Sequence, residues 1–261
     1  MIGATAVSAF VITRNEERNI ADCLASLRWA DELIVVDSGS TDATVEIARR
    51  CADRVIEHPF EGYVAQTRWA AEQTACPWVL WLDADERLSE AAREEIAQVL
   101  AGPGAERWAG LSFPRRSYFM DRWIRHCGWY PQRKVRMWRR GSGRFDDGHL
   151  VPRVLADGPV RKMRGDILHY TYPNGVRDMM AATAEYAADG AAERYAQGRR
   201  FSLLGLTLKP PLTFLKKYAL QGGVLDGLPG LAISAGAAWH RFVREVMLWE
   251  MEAKDGEGKA P

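Results

Sequence analysis

Two aspartates one residue apart, Asp83 and Asp85, close the apolar run Trp78-Val79-Leu80-Trp81-Leu82 and are followed directly by Glu86. Carboxylates at this spacing can turn toward one cation. Hard oxygen donors suit Mg²⁺ or Mn²⁺, with the remaining positions left to water and a ligand's phosphates. Other acids stand at comparable points earlier in the chain. Asn15-Glu16 follows an apolar run ending at Ile12, and Asp37-Ser38-Gly39-Ser40-Thr41-Asp42 follows one ending at Val36. Asp-x-Asp is a common pattern, and by itself it equally describes a solvated loop leading to a helix capped by Ser89. The elements that carry these acids therefore decide what they are for.

Each acid follows a strand-like run. Ala6–Ile12, Leu33–Val36 and Val79–Leu82 are continuously apolar rather than alternating, as for strands buried on both faces of a parallel sheet, and Arg54–Glu57 reads as a further short strand. Helical stretches lie between them. Ile20, Cys23, Leu24 and Leu27 share one face, Val45, Ile47 and Ala48 mark a second helix, Tyr63–Thr74 a third and Ser89–Leu100 a fourth. Ser40 or Thr41 is expected to cap the second of these, with Asp42 at its positive end. Alternating strand and helix imply right-handed β-α-β units, in which ligands bind outside the carboxyl ends of the strands. That is where all three acidic loops fall. Gly102-Pro103-Gly104 breaks the alternation, and Ala109–Phe113, Lys134–Trp138 and Ile167–Tyr172 read as a mixed edge of the same sheet.

The 261 residues are 47% hydrophobic with a net charge of +1, enough for a sizeable core and poorly suited to nucleic acid as the main partner. The arginines are concentrated between Arg115 and Arg144, a segment suited to an acidic substrate, to anionic lipid head groups, or simply to a solvated surface. Cys23, Cys51, Cys76 and Cys127 form no C-x-x-C pair and no zinc spacing. No signal peptide is expected, and Gly227–His240 is too short and glycine-rich for a membrane span.

No glycine-rich phosphate loop follows the first strand. What does follow it resembles the inverting family 2 glycosyltransferases with the GT-A fold. The matching motifs are Thr13-Arg14-Asn15-Glu16, Val36-Asp37-Ser38-Gly39-Ser40-Thr41-Asp42, Gln66-Thr67-Arg68 and Asp83-Ala84-Asp85-Glu86, in the right order and spacing from Thr5 to Leu100. Tyr118-Phe119-Met120, Trp123-Ile124, Gly128-Trp129-Tyr130-Pro131, Val135–Arg140, Leu168–Tyr172 and Lys209-Pro210 are similar to bacterial glucosyltransferases of lipopolysaccharide core assembly, extending the resemblance to about Leu225.

The resemblance implies an α/β GT-A fold and an enzyme that moves a sugar, UDP-hexose such as UDP-glucose being the expected donor, to a lipid-linked or lipopolysaccharide-core acceptor. It implies that Thr13, Asn15, Glu16, Asp37, Ser38, Gly39, Arg68, Asp83, Ala84, Gly128 and Trp129 line the donor, with Glu16 and Asp37 at the uridine and Asp83 at the ribose. Asp85, Asp83 and His169 would hold Mg²⁺ or Mn²⁺; His169 also reads as a structural histidine in an aromatic edge strand. Trp81, Trp123, Trp129 and Trp138 are candidates for stacking on sugars or for packing. One departure concerns the general base. Many relatives carry a His-Glu pair where this chain has Val151-Pro152, which leaves Asp147, His149 or Asp146 as the nearest substitutes. A nucleotide-sugar-binding scaffold without turnover and a polyprenyl-phosphate glycosyltransferase therefore stand as alternatives. An aspartate-based phosphatase would carry its Asp-x-Asp on the first strand and ranks far below.

The expected organisation is a glycosyltransferase domain over 1–173, with a nucleotide-sugar half (1–101) and an acceptor half (102–173), followed by a helical extension over 174–261. Apolar residues mixed with Lys209, Lys216, Lys217, Arg241 and Arg244 suit that extension to the anionic inner face of the cytoplasmic membrane, or to covering the sheet or a second copy of the chain. Pro210-Pro211 and Gly222-Gly223 are expected to divide it into short helices.

Overall fold

The computed structural model describes residues 3–146 and 152–257. The chain divides into two compact units, one of Met1–Arg116 with Pro131–His169, the other of Ser117–Tyr130 with Tyr170–Pro261.

The first unit is built on the expected alternation. β1 (Val7–Thr13), β2 (Glu32–Asp37), β3 (Arg54–Glu57) and β4 (Trp78–Asp83) are all parallel, in the order β3-β2-β1-β4. The register aligns Thr13 with Asp37, and Ile12 with Asp83, so the acidic loops leave the sheet side by side. β8 (Gln132–Arg139) pairs antiparallel with β4, and β6 (Gly110–Phe119) antiparallel with β8. The sheet is thus mixed beyond its parallel half, as the arginine- and aromatic-rich runs implied.

The helices α1 (Ile20–Leu27), α2 (Thr44–Cys51), α3 (Tyr63–Glu72) and α4 (Glu90–Ala101) fall where periodicity placed them. Ile20, Cys23, Leu24 and Leu27 of α1 are wholly buried against Val7, Val11, Leu33, Val35 and Leu80. Ser89 caps α4 by accepting from Ala92 N at 3.2 Å. At α2 the expectation is corrected. Neither Ser40 nor Thr41 caps it; Asp42 Oδ1 accepts from Thr44 N at 3.0 Å instead, while Ser40 is drawn away by Asp37.

One short strand had no signature in the sequence. β5 (Glu86–Leu88) turns back directly after Asp85 and pairs antiparallel with β12 (Ile167–Tyr170), setting His169 opposite Glu86. β9 (Gly143–Phe145), β10 (Val154–Ala156) and β11 (Val160–Lys162) are equally brief.

The second unit contains β7 (Arg122–Trp123) and the helices α5 (Val176–Ala196), α6 (Leu203–Leu215) and α7 (Gly227–Glu257). Here too an expectation fails. Pro210 and Pro211 do not divide the chain, because α6 runs through both. The break comes later, in a π turn at Lys216–Leu220 and a 3-10 turn at Gly223–Asp226. Among the described residues no helix is long and apolar enough to cross a membrane.

Candidate active site

The loop after β2 is held by its own aspartate. Asp37 is buried, and its Oδ2 accepts from the backbone N–H of Gly39 at 2.9 Å and of Ser40 at 2.8 Å, while its Oδ1 accepts from the Ser40 hydroxyl. Gly39 sits at φ +82° with open space around it, a conformation that favours glycine. Ser38 N donates to Thr13 O, and Ser38 Oγ accepts from Gln66 Nε2 at 3.0 Å, which ties the loop to β1 and α3. Asn15 takes a left-handed φ of 55°, and its Oδ1 accepts from Thr41 N at 2.8 Å. Thr13, Asn15, Glu16, Asp37, Ser38 and Gly39 are thus gathered by β1, β2 and the hydrogen bonds between their loops. Arg68 lies half-buried on α3.

Beyond β4 the organising residue is an arginine to which no role had been assigned. Arg136 comes from β8, is almost fully buried, and lies with its guanidinium carbon 3.8 Å from the centre of the Trp81 ring. Its Nη2 donates to Asp83 Oδ2 at 2.6 Å and to Glu86 Oε1 at 2.8 Å. Arg115 Nη1 approaches the same Glu86 oxygen at 3.6 Å. Burial raises the Glu86 carboxyl, but Arg136 and Arg115 outweigh it, and the group titrates below the usual carboxylate range. At Asp83 burial prevails over the pull of Arg136, aided by repulsion from Glu86, and the carboxyl is pushed up. The only sequence signal for Arg136 was a charge in a strand flanked by Val135, Met137 and Trp138, a place where an arginine needs partners.

Asp85 points elsewhere. Its Oδ2 lies 3.2 Å from Nε2 of His169, so β12 delivers an imidazole to the second aspartate and Arg136 serves the first. Ala84 between them is buried. Glu16 N donates to Thr44 Oγ1 at 2.7 Å, and Glu16 Oε2 accepts from Asn19 Nδ2 at 2.8 Å. The Glu16 carboxyl is raised first by burial and then by repulsion from Asp85, Asp42 and Asp83, against the lowering bond from Asn19. The strand ends thus share a negative field. Among the described residues no three His, Cys, Asp or Glu side chains form a ready cation shell. Asp85 with His169 nevertheless offers an oxygen and a nitrogen donor in that field, chemistry that fits a divalent cation completed by a ligand's phosphates.

The tryptophans separate. Trp81 and Trp138 are each 3% exposed and pack around Phe10, so neither is available to stack on a sugar. Gly128 and Trp129 belong to the second unit. There Cys127 and Gly128 take successive positive φ values of 58° and 71°, and a Cβ on Gly128 would meet Gln221 Oε1 at 2.8 Å, so glycine is favoured there. Trp129 packs edge-on against Phe119. Of the base candidates, Asp146 follows β9 and its N–H donates to Arg153 O at 2.9 Å, whereas Asp147 and His149 lie outside the described residues.

Residues 8–147 match the family model described as Glycosyl transferase family 2. Over 265 residues the chain is 31% identical to the lipopolysaccharide core biosynthesis glycosyltransferase LpsC of Rhizobium meliloti (strain 1021), covering 97% of this chain and 95% of that protein. It is 30% identical over 260 residues to an uncharacterized glycosyltransferase of Rickettsia typhi, covering 95% of this chain and 88% of the relative. Among solved structures, the mannosyltransferase PcManGT from Pyrobaculum calidifontis in complex with GDP-Man and Mn²⁺ is 17% identical with a TM-score of 0.49, covering 97% of this chain and 88% of that one, a likeness too slight to assign a ligand.

Proposed function

The chain belongs to glycosyl transferase family 2, and from that premise we propose that it is a metal-dependent inverting hexosyltransferase. Its donor is a nucleotide sugar, UDP-glucose first among the candidates, and its acceptor is a lipid-linked or lipopolysaccharide-core saccharide. The observation that carries this reading is the convergence of Glu16, Asp37, Asp83 and Asp85 at the carboxyl ends of the adjacent parallel strands β1, β2 and β4, or just beyond them.

In this reading the loops after β1 and β2 receive the nucleoside. Glu16 and Asp37 meet the uracil, Asp83 meets the ribose, and Arg68 completes this unit's share of the donor site. Asp85 and His169 would hold Mg²⁺ or Mn²⁺, which would supply positive charge to offset that on the departing diphosphate. Arg136 holds Asp83 and Glu86 in place through its two ion pairs. The acceptor hydroxyl attacks the anomeric carbon from the face opposite the leaving diphosphate. Asp147, His149 or Asp146 takes its proton, replacing the glutamate absent at Val151-Pro152.

The protein works, we infer, at the inner face of the cytoplasmic membrane. Leu203, Leu204, Leu208, Leu212 and Leu215 of α6 are all exposed, with the exposed Lys216 beside them, while Lys209 is paired with Glu245 and Lys217 donates to Cys127 O at 2.8 Å; the apolar row with Lys216 is suited to lying in an anionic interface. Sedimentation with anionic liposomes tests this. Full-length protein that stays in the supernatant at low salt while folded and active would count against it.

The transfer reading is tested by incubating the protein with a panel of UDP-hexoses and a truncated core saccharide, with Mn²⁺, with Mg²⁺ and with chelator. The expected result is metal-dependent release of UDP that rises with acceptor. Binding of UDP and Mn²⁺ with no product from any donor would mark the chain as a scaffold.

A further inference from the structure

The second unit contains a cavity of about 350 Å³ lined by Arg122, Trp123, Arg125, His126, Leu225 and Asp226. Its wall is built by a carboxylate that is already spent. Asp226 is 3% exposed and accepts from His126 N at 2.8 Å, from Arg125 N at 3.3 Å and from His126 Nδ1 at 3.0 Å. These bonds pin the segment after β7 against the 3-10 turn Gly223–Asp226. Gly222, at φ +70°, lets the chain approach so closely that a Cβ there would meet His126 Cδ2 at 3.0 Å. The Asp226–His126 side of the pocket is therefore fixed through the backbone, and the exposed side chains of Arg122 and Arg125 stand beside it.

The charges inside it are unbalanced. Neither Arg122 nor Arg125 has an acidic partner among the described residues, and Arg125 lies with its guanidinium carbon 4.3 Å from the Trp123 ring centre, which holds the cation in place. Guanidinium forks pair bidentately with phosphate or carboxylate, and an indole supplies a broad apolar wall beside them. The volume is at the small end for ligand sites and suits one hexose-sized ring. Leu225, on the rim, is 67% exposed.

We propose that this pocket binds an acidic sugar, a hexose-sized ring bearing a phosphate or carboxylate, as a recognition subsite for the acceptor. Its place in the reaction rests on the transfer reading above; the binding itself does not.

The test is calorimetric titration of the full chain with glucose 6-phosphate, glucuronate, glucose and inorganic phosphate. Alongside it, the protein is sedimented with phosphatidylglycerol and phosphatidylcholine vesicles. Glucose 6-phosphate and glucuronate are expected to bind at least tenfold more tightly than glucose and more tightly than inorganic phosphate. Arg122→Ala and Arg125→Ala are each expected to weaken that binding at least tenfold, with UDP binding and circular dichroism unchanged. Arg122→Lys and Arg125→Lys keep the charge and guard against misfolding, and the contrast between ligands on the unaltered protein needs no variant at all. Equal affinity for glucose, binding indifferent to both arginines, or inorganic phosphate bound as tightly as the sugar phosphate would each overturn the proposal. So would arginine-dependent capture of phosphatidylglycerol vesicles without sugar-phosphate binding, which would assign the pocket to a lipid head group. Loss of pocket binding with sugar transfer intact sinks this inference alone; pocket binding without any transfer sinks the transfer reading and leaves the pocket.

Discussion

Two arginines, one in each unit, are buried to nearly the same degree and live in opposite circumstances. Arg136 is 4% exposed and its Nη2 donates to two carboxylates, leaving only its buried Nε without an acceptor among the described residues; Arg244 on α7 is 7% exposed, and among the same residues neither its Nε nor its Nη2 has one. The carboxylate next to Arg244 in the chain, Glu245, is taken by Lys209 at 3.1 Å and approached by Arg194 at 3.8 Å. The consequences run in opposite directions. Asp83 and Glu86 raise the Arg136 guanidinium against the cost of burial, whereas burial, with Arg194 and Arg241 adding to it, holds Arg244 down to about 10. In the first unit the buried arginine is answered from within, and the charge left over is negative, at the strand ends. The second carries surplus positive charge together with a row of exposed leucines. A unit of that kind is completed by something anionic and apolar from outside, which is the physical content of the membrane and acidic-acceptor proposals.

The largest effect that would break this contrast lies in the first unit. Asp85→Ala is expected to abolish sugar transfer and Mn²⁺-dependent UDP binding while the thermal midpoint stays near that of the unaltered protein. Asp85 makes its contact with His169 at the sheet's ligand-facing end and contributes nothing to the apolar core. Near-normal turnover in the same metal would show that the acidic cluster is not the donor site.

The two arginines themselves give the next test. Arg136→Met leaves Asp83 and Glu86 without their shared partner and is expected to cost about 3–5 kcal/mol by urea unfolding, the usual scale for breaking a buried pair. Arg244→Met removes a charge that has no carboxylate of its own and is expected to be neutral or to stabilise by roughly 1 kcal/mol. Equal losses at both positions would mean that the second unit answers its charge internally after all. Smaller again in its effect on the free energy barrier is the base. Asp147→Asn or His149→Ala is expected to lower the turnover number by a factor of ~10² with donor affinity barely altered. Full activity in both, with Asp146→Asn active as well, would send the search to carboxylates further away.

The same division explains what the sequence made legible. The parallel half was readable because a strand buried on both faces is a continuous apolar run, and β1, β2 and β4 each end in, or lead within a few residues to, the acids that matter. β5 was not, since Glu86-Arg87-Leu88 is three residues with no periodicity and owes its pairing entirely to β12. Arg136 was visible as a residue of a motif but not as the clamp on Asp83, because its partners lie 50 and 53 positions away in the chain. Trp81 and Trp138 read by type as candidates for sugar stacking or for packing, and the structure turns both onto Phe10, in favour of packing. In the second unit the proline pair misled. A proline removes a helical N–H and crowds the preceding turn, yet α6 passes through Pro210 and Pro211. Its packing against α7 overrides that local penalty. Gly205 permits the close approach, because a Cβ there would meet Glu245 Oε2 at 2.7 Å.

The smallest effect compares two helix caps of the same geometry. Ser89 accepts from Ala92 N at the start of α4, and Ser202 accepts from Gly205 N at the start of α6, each at 3.2 Å. Removing either hydroxyl orphans one backbone N–H, which typically costs about 0.5–2 kcal/mol. The surroundings differ. At α4 the backbone of Gly165 presses so closely on the first turn that a Cβ on Gly165 would lie 2.4 Å from Ala92 N, leaving no room for water to replace the lost bond. At α6 the first turn presents Leu203 and Leu204 to solvent. Ser89→Ala is therefore expected to cost about 1 kcal/mol or more, and Ser202→Ala about 0.5 kcal/mol, within the range measured for such caps. Native-state hydrogen exchange at Ala92 and Gly205 reads each loss at its own site. If anionic vesicles cover α6, the Ser202→Ala loss should grow in their presence, because water can no longer reach the freed N–H of Gly205, while the Ser89→Ala loss stays constant. A Ser202→Ala cost indifferent to vesicles would argue that the leucine face of α6 meets no membrane.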